Sequence, residues 1–215
     1  MQIVVLTGGV EQQSPAALHL VRGRPFIDWL LDRFVASGAR SVVLCVGPFG
    51  EQIETHVRRA LDRGLTVAYS YAGGERLGSG GTLRRAFARL EPEFVLTDAA
   101  RYLPFDYAAP LHDLQAHPAA TATMSVFRSP GNVRLEGDQV TSYDAAGHDF
   151  SNYGAIALRR SALDGIEDGA VWSIDALLRR LAANGKLRGF VAPEPAFDVG
   201  STELERHFGS LPLDV

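Results

Sequence analysis

Short apolar runs alternate with amphipathic stretches through the first hundred residues of this 215-residue chain. Residues 3–6 form a continuous apolar run closed by Thr7-Gly8-Gly9, which reads as a strand buried on both faces. From 25 to 36, Phe26, Trp29, Leu30, Phe34 and Val35 recur at helical spacing, and Gly38 ends the pattern. Residues 41–46 give a second buried strand, 51–61 a helix before Gly64, and 65–71 a third strand. A helix over 82–90 and a strand over 93–96 complete the series. This alternation predicts an open α/β sheet with right-handed crossovers. Beyond Ala100 the rhythm is mixed: strands at 120–127 and 153–158, and a hairpin over 133–143 turning at Gly137-Asp138. A helix over 174–183, a strand at 187–192 and a helical tail from Thr202 follow. With no repeat, linker or low-complexity stretch, residues 1–215 are read as one domain.

Composition narrows the function classes. Lys plus Arg total 21 and Asp plus Glu 25, a formal charge of −4, which argues against nonspecific binding to nucleic acid or anionic membranes. The single cysteine, Cys45, lies inside an apolar strand and excludes an internal disulfide or a cysteine-based zinc cluster. No apolar run reaches the ~18 residues of a membrane span. The N-terminus enters a strand pattern without a basic signal region. The expectation is a soluble, cytoplasmic protein; self-association into a homo-oligomer is left open.

Two glycine clusters follow strands. Gly8-Gly9 sits where open α/β sheets place ligands, and glycine there lets backbone N–H groups approach a phosphate. The dinucleotide pattern G-x-G-x-x-G is missing, as is a P-loop. Leu77-Gly78-Ser79-Gly80-Gly81-Thr82 is read as a loop that either cradles an anion or simply connects. Asp98 and Asp198 each end a strand pattern; alone each reads as a turn residue, together they suit a magnesium ion. The six histidines lack metal-ligand spacing and are read as surface or loop residues, and no nucleophile elbow occurs.

Several of these features stand in one order. Leu6-Thr7-Gly8-Gly9, Gly23-Arg24-Pro25-Phe26, the Leu-Gly-Ser-Gly-Gly run from Leu77, Asp98, Asn152-Tyr153-Gly154 and Phe197-Asp198-Val199-Gly200-Ser201 follow one another along nearly the whole chain. The order resembles the sugar-1-phosphate nucleotidyltransferases, with the strongest likeness to short members acting as heptose 1-phosphate guanylyltransferases. The resemblance implies a Rossmann-like nucleotidyltransferase fold with a mixed, mostly parallel central sheet flanked by helices. Residues 1–100 would form the nucleotide half and 101–215 the sugar half. A nucleoside triphosphate and a sugar 1-phosphate would give an NDP-sugar and pyrophosphate. Carried over by position, Leu6, Gly8, Gly9, Gly78, Ser79 and Gly80 would contact the nucleotide, and Asn152 and Gly154 the sugar. Asp98 and Asp198 would hold Mg²⁺ and act in catalysis.

The chain also departs from the family pattern. Only Val10 to Ser14 separate Gly9 from Pro15, so the family's activating arginine is deleted. Ala16 stands at the following lysine position, Asp144-Ala145 replaces a Glu-Lys pair, and an Asn-Gly-Asp motif is reduced to Leu96-Thr97-Asp98. Arg22, Arg24, Arg76, Arg101 and Arg128 are the candidate replacement cations, Arg101 foremost because it lies three residues after Asp98. Two functions therefore compete: a divergent nucleotidyltransferase, and a nucleotide-sugar-binding or regulatory homologue that has lost turnover.

Overall fold

The computed structural model describes residues 1–8, 15–59, 64–72 and 75–210, with the backbone alone at 144, 145 and 210. Its centre is a seven-stranded sheet. The strands are β1 (Gln2–Leu6), β2 (Ser41–Val46), β3 (Thr66–Tyr71), β4 (Glu93–Asp98), β5 (Ala122–Glu136), β6 (Gln139–Arg159) and β7 (Leu187–Val191). Their order across the sheet is β7-β5-β6-β4-β1-β2-β3. All neighbours run parallel except at β6, which is antiparallel to β4, β5 and β7. The expected mixed, mostly parallel sheet is therefore present.

Among the described residues, six helices cover both faces: α1 (Phe26–Ala36), α2 (Gly50–Arg59), α3 (Gly78–Arg85), α4 (Ala108–Ala116), α5 (Ile174–Ala183) and α6 (Thr202–Ser210). Period-two alternation divides the strand side chains between them. Ile3 and Val5, with Val42, Leu44 and Val46, face α1, α2, α4 and α6. Val4, Val43 and Cys45 face the layer that holds α3 and α5. Because both faces are covered, the central strands are apolar on both sides, which is why they appear in the sequence as unbroken runs. Cys45 is part of this core, and burial pushes its thiol up to about 12, so it stays a protonated packing group.

The structure corrects several sequence expectations. The runs at 120–127, 133–143 and 153–158 are pieces of two long strands, β5 and β6, which turn at Gly137-Asp138 and carry repeated register shifts. Those irregularities break the alternation and hide the continuity. The helix expected at 82–90 begins earlier, at Gly78, and ends in a separate 3₁₀ turn over Phe87–Arg89. Helix α4 went unread because Pro110 lies inside it and only Pro110, Leu111 and Leu114 are buried. In the first turn the missing proline N–H costs nothing, since it has no helical partner there. Asp113 on α4 accepts two bonds from Arg188 of β7, at 2.9 and 3.1 Å, and one from Thr123 of β5 at 2.8 Å. Burial opposes its charge, but these bonds outweigh burial and hold the carboxyl below its usual range.

Two histidines are not mere surface residues. His56 meets the buried Asp28 at 2.9 Å. His207 stacks on Phe197 with ring centroids 4.5 Å apart, and burial lowers its pKa. Among the described residues, no helix is long and apolar enough to cross a membrane.

Candidate functional site

The chain leaves β1 for β2 and β3 on one side, then returns to β4 on the other side. Such a reversal leaves a crevice at the carboxyl ends of the two strands between which it occurs. A cleft of about 310 Å³ lies there. Leu6, Thr7 and Gly8 line it from the end of β1, and Leu96 through Arg101 from the end of β4. Asn152, Gly154 and Ile156 line it from β6, Ile174 and Asp175 from α5, and Ala16 and Ser79 complete it.

Backbone bonds fix its floor. The Thr7 N–H and hydroxyl both donate to the Cys45 carbonyl, at 3.1 and 3.2 Å, and the Ala99 N–H donates to Leu6 at 3.0 Å. Gly8 leaves the strand with φ of 106°, a conformation that a side chain would strain. The Asp98 carboxylate accepts the Ala100 N–H through Oδ1 at 2.9 Å and Arg101 Nη2 through Oδ2 at 3.2 Å. Arg101 also donates to the Asn152 carbonyl at 3.2 Å. A Cβ at Gly154 would come within 3.1 Å of that guanidinium, so glycine leaves room for the arginine.

A second chain of bonds runs across β6 to α5. Asn152 Oδ1 accepts the Gly154 N–H at 3.0 Å, and its Nδ2 donates to the Tyr143 hydroxyl at 3.2 Å. The Tyr143 hydroxyl donates in turn to Asp175 Oδ1 at 2.5 Å. Sequence reasoning missed both Tyr143 and Asp175. An acidic residue two places after the capping Ser173 looks like any first-turn acid of a helix.

The residues singled out from sequence separate into three groups. Leu6, Gly8, Ser79, Asp98, Arg101, Asn152 and Gly154 meet in the cleft. Gly9 lies outside the described residues. Gly78, Gly80 and Asp198 are described but do not line the cleft. Asp198 is exposed, and its backbone pairs with Arg101 in a two-residue antiparallel bridge that also joins Phe197 to Tyr102.

The glycine cluster is not a loop. Gly80 and Gly81 N–H groups both donate to the Trp172 carbonyl, at 3.1 and 3.4 Å. A Cβ at Gly80 would lie 2.5 Å from the Trp172 indole, and one at Gly78 2.4 Å from the Trp172 carbonyl oxygen. These glycines therefore let the chain before α5 approach α3 closely, and they present Ser79 to the cleft. Its hydroxyl accepts the Ile174 N–H at 3.0 Å.

Arg101 is the one cationic side chain among the described residues lining the cleft. Of the other candidates, Arg22 donates to the Phe208 carbonyl, Arg24 pairs with Asp32 and Arg128 lies over Phe150. Arg76 does not line the cleft. The chain's only lysine, Lys186, bonds the Ala119 carbonyl at the amino end of β7, opposite the cleft.

No family model matches the chain. It is 28% identical over 195 residues to the N-acetylmuramate alpha-1-phosphate uridylyltransferase of Caulobacter vibrioides, an alignment covering 84% of this chain and 80% of the relative. HddC from Yersinia pseudotuberculosis, solved with GMP-PN, superposes with a TM-score of 0.75 at 18% identity over 96% of both chains. The fold is that of the sugar-1-phosphate nucleotidyltransferases. The inositol-1-phosphate CTP transferase from T. maritima superposes with a TM-score of 0.77 at 13% identity, over 97% of this chain and 96% of the other. The resemblance legible in the sequence thus holds for a relative in sequence and for neighbours in structure.

Proposed function

We propose that the protein is a sugar-1-phosphate nucleotidyltransferase, joining a nucleoside triphosphate to a sugar 1-phosphate and releasing pyrophosphate. One observation carries this reading. The end of β1, the Asp98–Arg101 pair and the Asn152–Gly154 segment, far apart in sequence, meet in one cleft at the reversal point of the sheet. The 28% identity to a uridylyltransferase over most of both chains supports it.

In this reaction a phosphate oxygen of the sugar 1-phosphate attacks the α-phosphorus in line, and pyrophosphate leaves with the electron pair of the broken P–O bond. The protein positions the reactants and offsets charge. Residues 1–100 form the nucleotide half, with the Leu6 and Gly8 backbone against the nucleotide and Ser79 behind it. Residues 101–215 form the sugar half, with Asn152 and Gly154 beside the sugar. Arg101 stands at the junction and neutralises phosphate charge. Gly78 and Gly80 serve indirectly, by setting Ser79 against α5.

The donor set suits Mg²⁺. Asp98 is partly exposed, each of its carboxylate oxygens has accepted one bond, and each retains a lone pair. Asp198 is exposed on the strand bridged to Arg101. One or two carboxylates, with phosphates and water, are what this ion takes. No three His, Cys, Asp or Glu side chains cluster among the described residues, so the substrate phosphates would complete the shell. Asp98 and Asp198 would hold the ion, which would offset charge developing on the phosphates. Supply of nucleoside triphosphate accords with a cytoplasmic site of action.

A second reading has its own observation. Ala16, at the family's lysine position, lines the cleft and brings no charge to it. This favours a module that binds a nucleotide sugar without turning it over. Thermal unfolding with each common nucleoside triphosphate and NDP-sugar, with and without Mg²⁺, separates the two readings. A ligand at about 100 times its dissociation constant adds ~2.7 kcal/mol. The transferase reading expects Mg²⁺-dependent stabilisation by a triphosphate. Stabilisation by an NDP-sugar alone, indifferent to Mg²⁺, supports the binding module instead.

A further inference from the structure

We propose that Asp175 selects the sugar, so that the cleft takes neutral, polyhydroxylated sugar 1-phosphates and discriminates against those bearing a carboxylate. The inference rests on the nucleotidyltransferase reading and specifies the substrate class of the same cleft. It starts from the bonds around Asn152. Each end of that amide makes one bond, Oδ1 accepting the Gly154 N–H and Nδ2 donating to the Tyr143 hydroxyl. These bonds orient the amide in the wall and couple it to Tyr143. A phenol carries one proton, and Tyr143 gives it to Asp175 Oδ1. The chain of donors runs one way, from Asn152 through Tyr143, and ends at an exposed carboxylate that lines the cleft.

Asp175 is held from both sides. The N-terminus of α5 is fixed by Ser173, whose hydroxyl accepts the Ala176 N–H, and by Ser79, which accepts the Ile174 N–H. Tyr143, only 7% exposed, fixes the carboxylate itself. An anchored carboxylate with lone pairs facing a cleft accepts hydrogen bonds from sugar hydroxyls, and Ile156 and Ile174, which line the same cleft, suit the C–H face of a pyranose.

The same carboxylate repels a second one. Among the described residues, Arg101 is the only cation lining the cleft, and Asp98 and the Asn152 carbonyl already engage it. No other described cation there would offset a substrate carboxylate brought beside Asp175. Like charges a few ångström apart at a partly solvated site cost about 10- to 100-fold in affinity. The Caulobacter relative is a transferase of N-acetylmuramate 1-phosphate, a sugar with a carboxylate on its lactyl ether. This chain is expected to discriminate against that substrate.

Calorimetric titration of glucose 1-phosphate and N-acetylmuramate 1-phosphate into wild type, Asp175→Asn and Tyr143→Phe tests the inference. The wild type is expected to bind the neutral sugar phosphate at least about tenfold tighter. Asp175→Asn narrows that gap to within about threefold, chiefly by improving the acidic ligand. Tyr143→Phe, which keeps the ring and frees the carboxylate, weakens the neutral ligand while leaving the acidic one weak. Equal or tighter binding of the acidic sugar by wild type, or a gap unmoved by Asp175→Asn, overturns the inference. Triphosphate binding with neither sugar phosphate bound also overturns it and leaves the nucleotide site standing. Loss of triphosphate binding as well defeats the underlying reading.

Discussion

Asp98→Asn is expected to lower the rate of pyrophosphate release by on the order of 10³, with the protein still folded. The substitution keeps an oxygen for the Ala100 N–H but replaces the other oxygen with an amide NH₂ that faces the Arg101 guanidinium, donor against donor. Two contributions fall together: the negative charge that Mg²⁺ would require, and the anchor that aims Arg101. The site is partly exposed at a strand end, so the thermal midpoint should shift by no more than a few degrees. Steady-state pyrophosphate release at saturating substrates checks this. A variant within tenfold of wild type removes Asp98 from the catalytic machinery.

Arg101→Ala is expected to cost about 10²–10³ in the same assay, the usual loss when one preorganised charge contact to a transition state is removed. A neighbouring lysine or arginine would soften such a loss. Here the only lysine lies at the opposite end of the sheet, and no other described cation lines the cleft. Arg101→Lys should recover only part of the rate. A single ammonium cannot hold Asp98 and the Asn152 carbonyl together as the guanidinium fork does. Full activity in Arg101→Lys would mean that the charge matters and the geometry does not. Full activity in Arg101→Ala would mean that phosphate charge is offset elsewhere.

What the sequence made legible is local. Residues 41–46 and 174–183 coincide with β2 and α5 because a glycine turn or a capping serine bounds each one. Gly8 and Asp98 stood out because they follow strand patterns, where an open sheet collects its ligand contacts, whereas Leu6, Asn152 and Gly154 were named through the family resemblance. What stayed hidden depends on contacts between distant segments. Gly80 reads as a loop glycine until Trp172, ninety-two positions later, is seen against it. Tyr143 and Asp175 carry no motif, and their hydrogen bond spans 32 positions. The length of β6 was masked by bulges that break the two-residue period. Nothing in the sequence tells where Asp198 sits; the fold puts it on a short strand bridged to Arg101.

The central claim is that the cleft between β1 and β4 transfers a nucleotidyl group to a sugar 1-phosphate. The most direct test incubates the protein with Mg²⁺, each common nucleoside triphosphate and a panel of neutral sugar 1-phosphates, following pyrophosphate and NDP-sugar together. For at least one pair, pyrophosphate and NDP-sugar should appear in equal amounts and depend on Mg²⁺. Folded protein that binds a nucleotide yet yields neither product across the panel would contradict the claim and leave a binding module in its place.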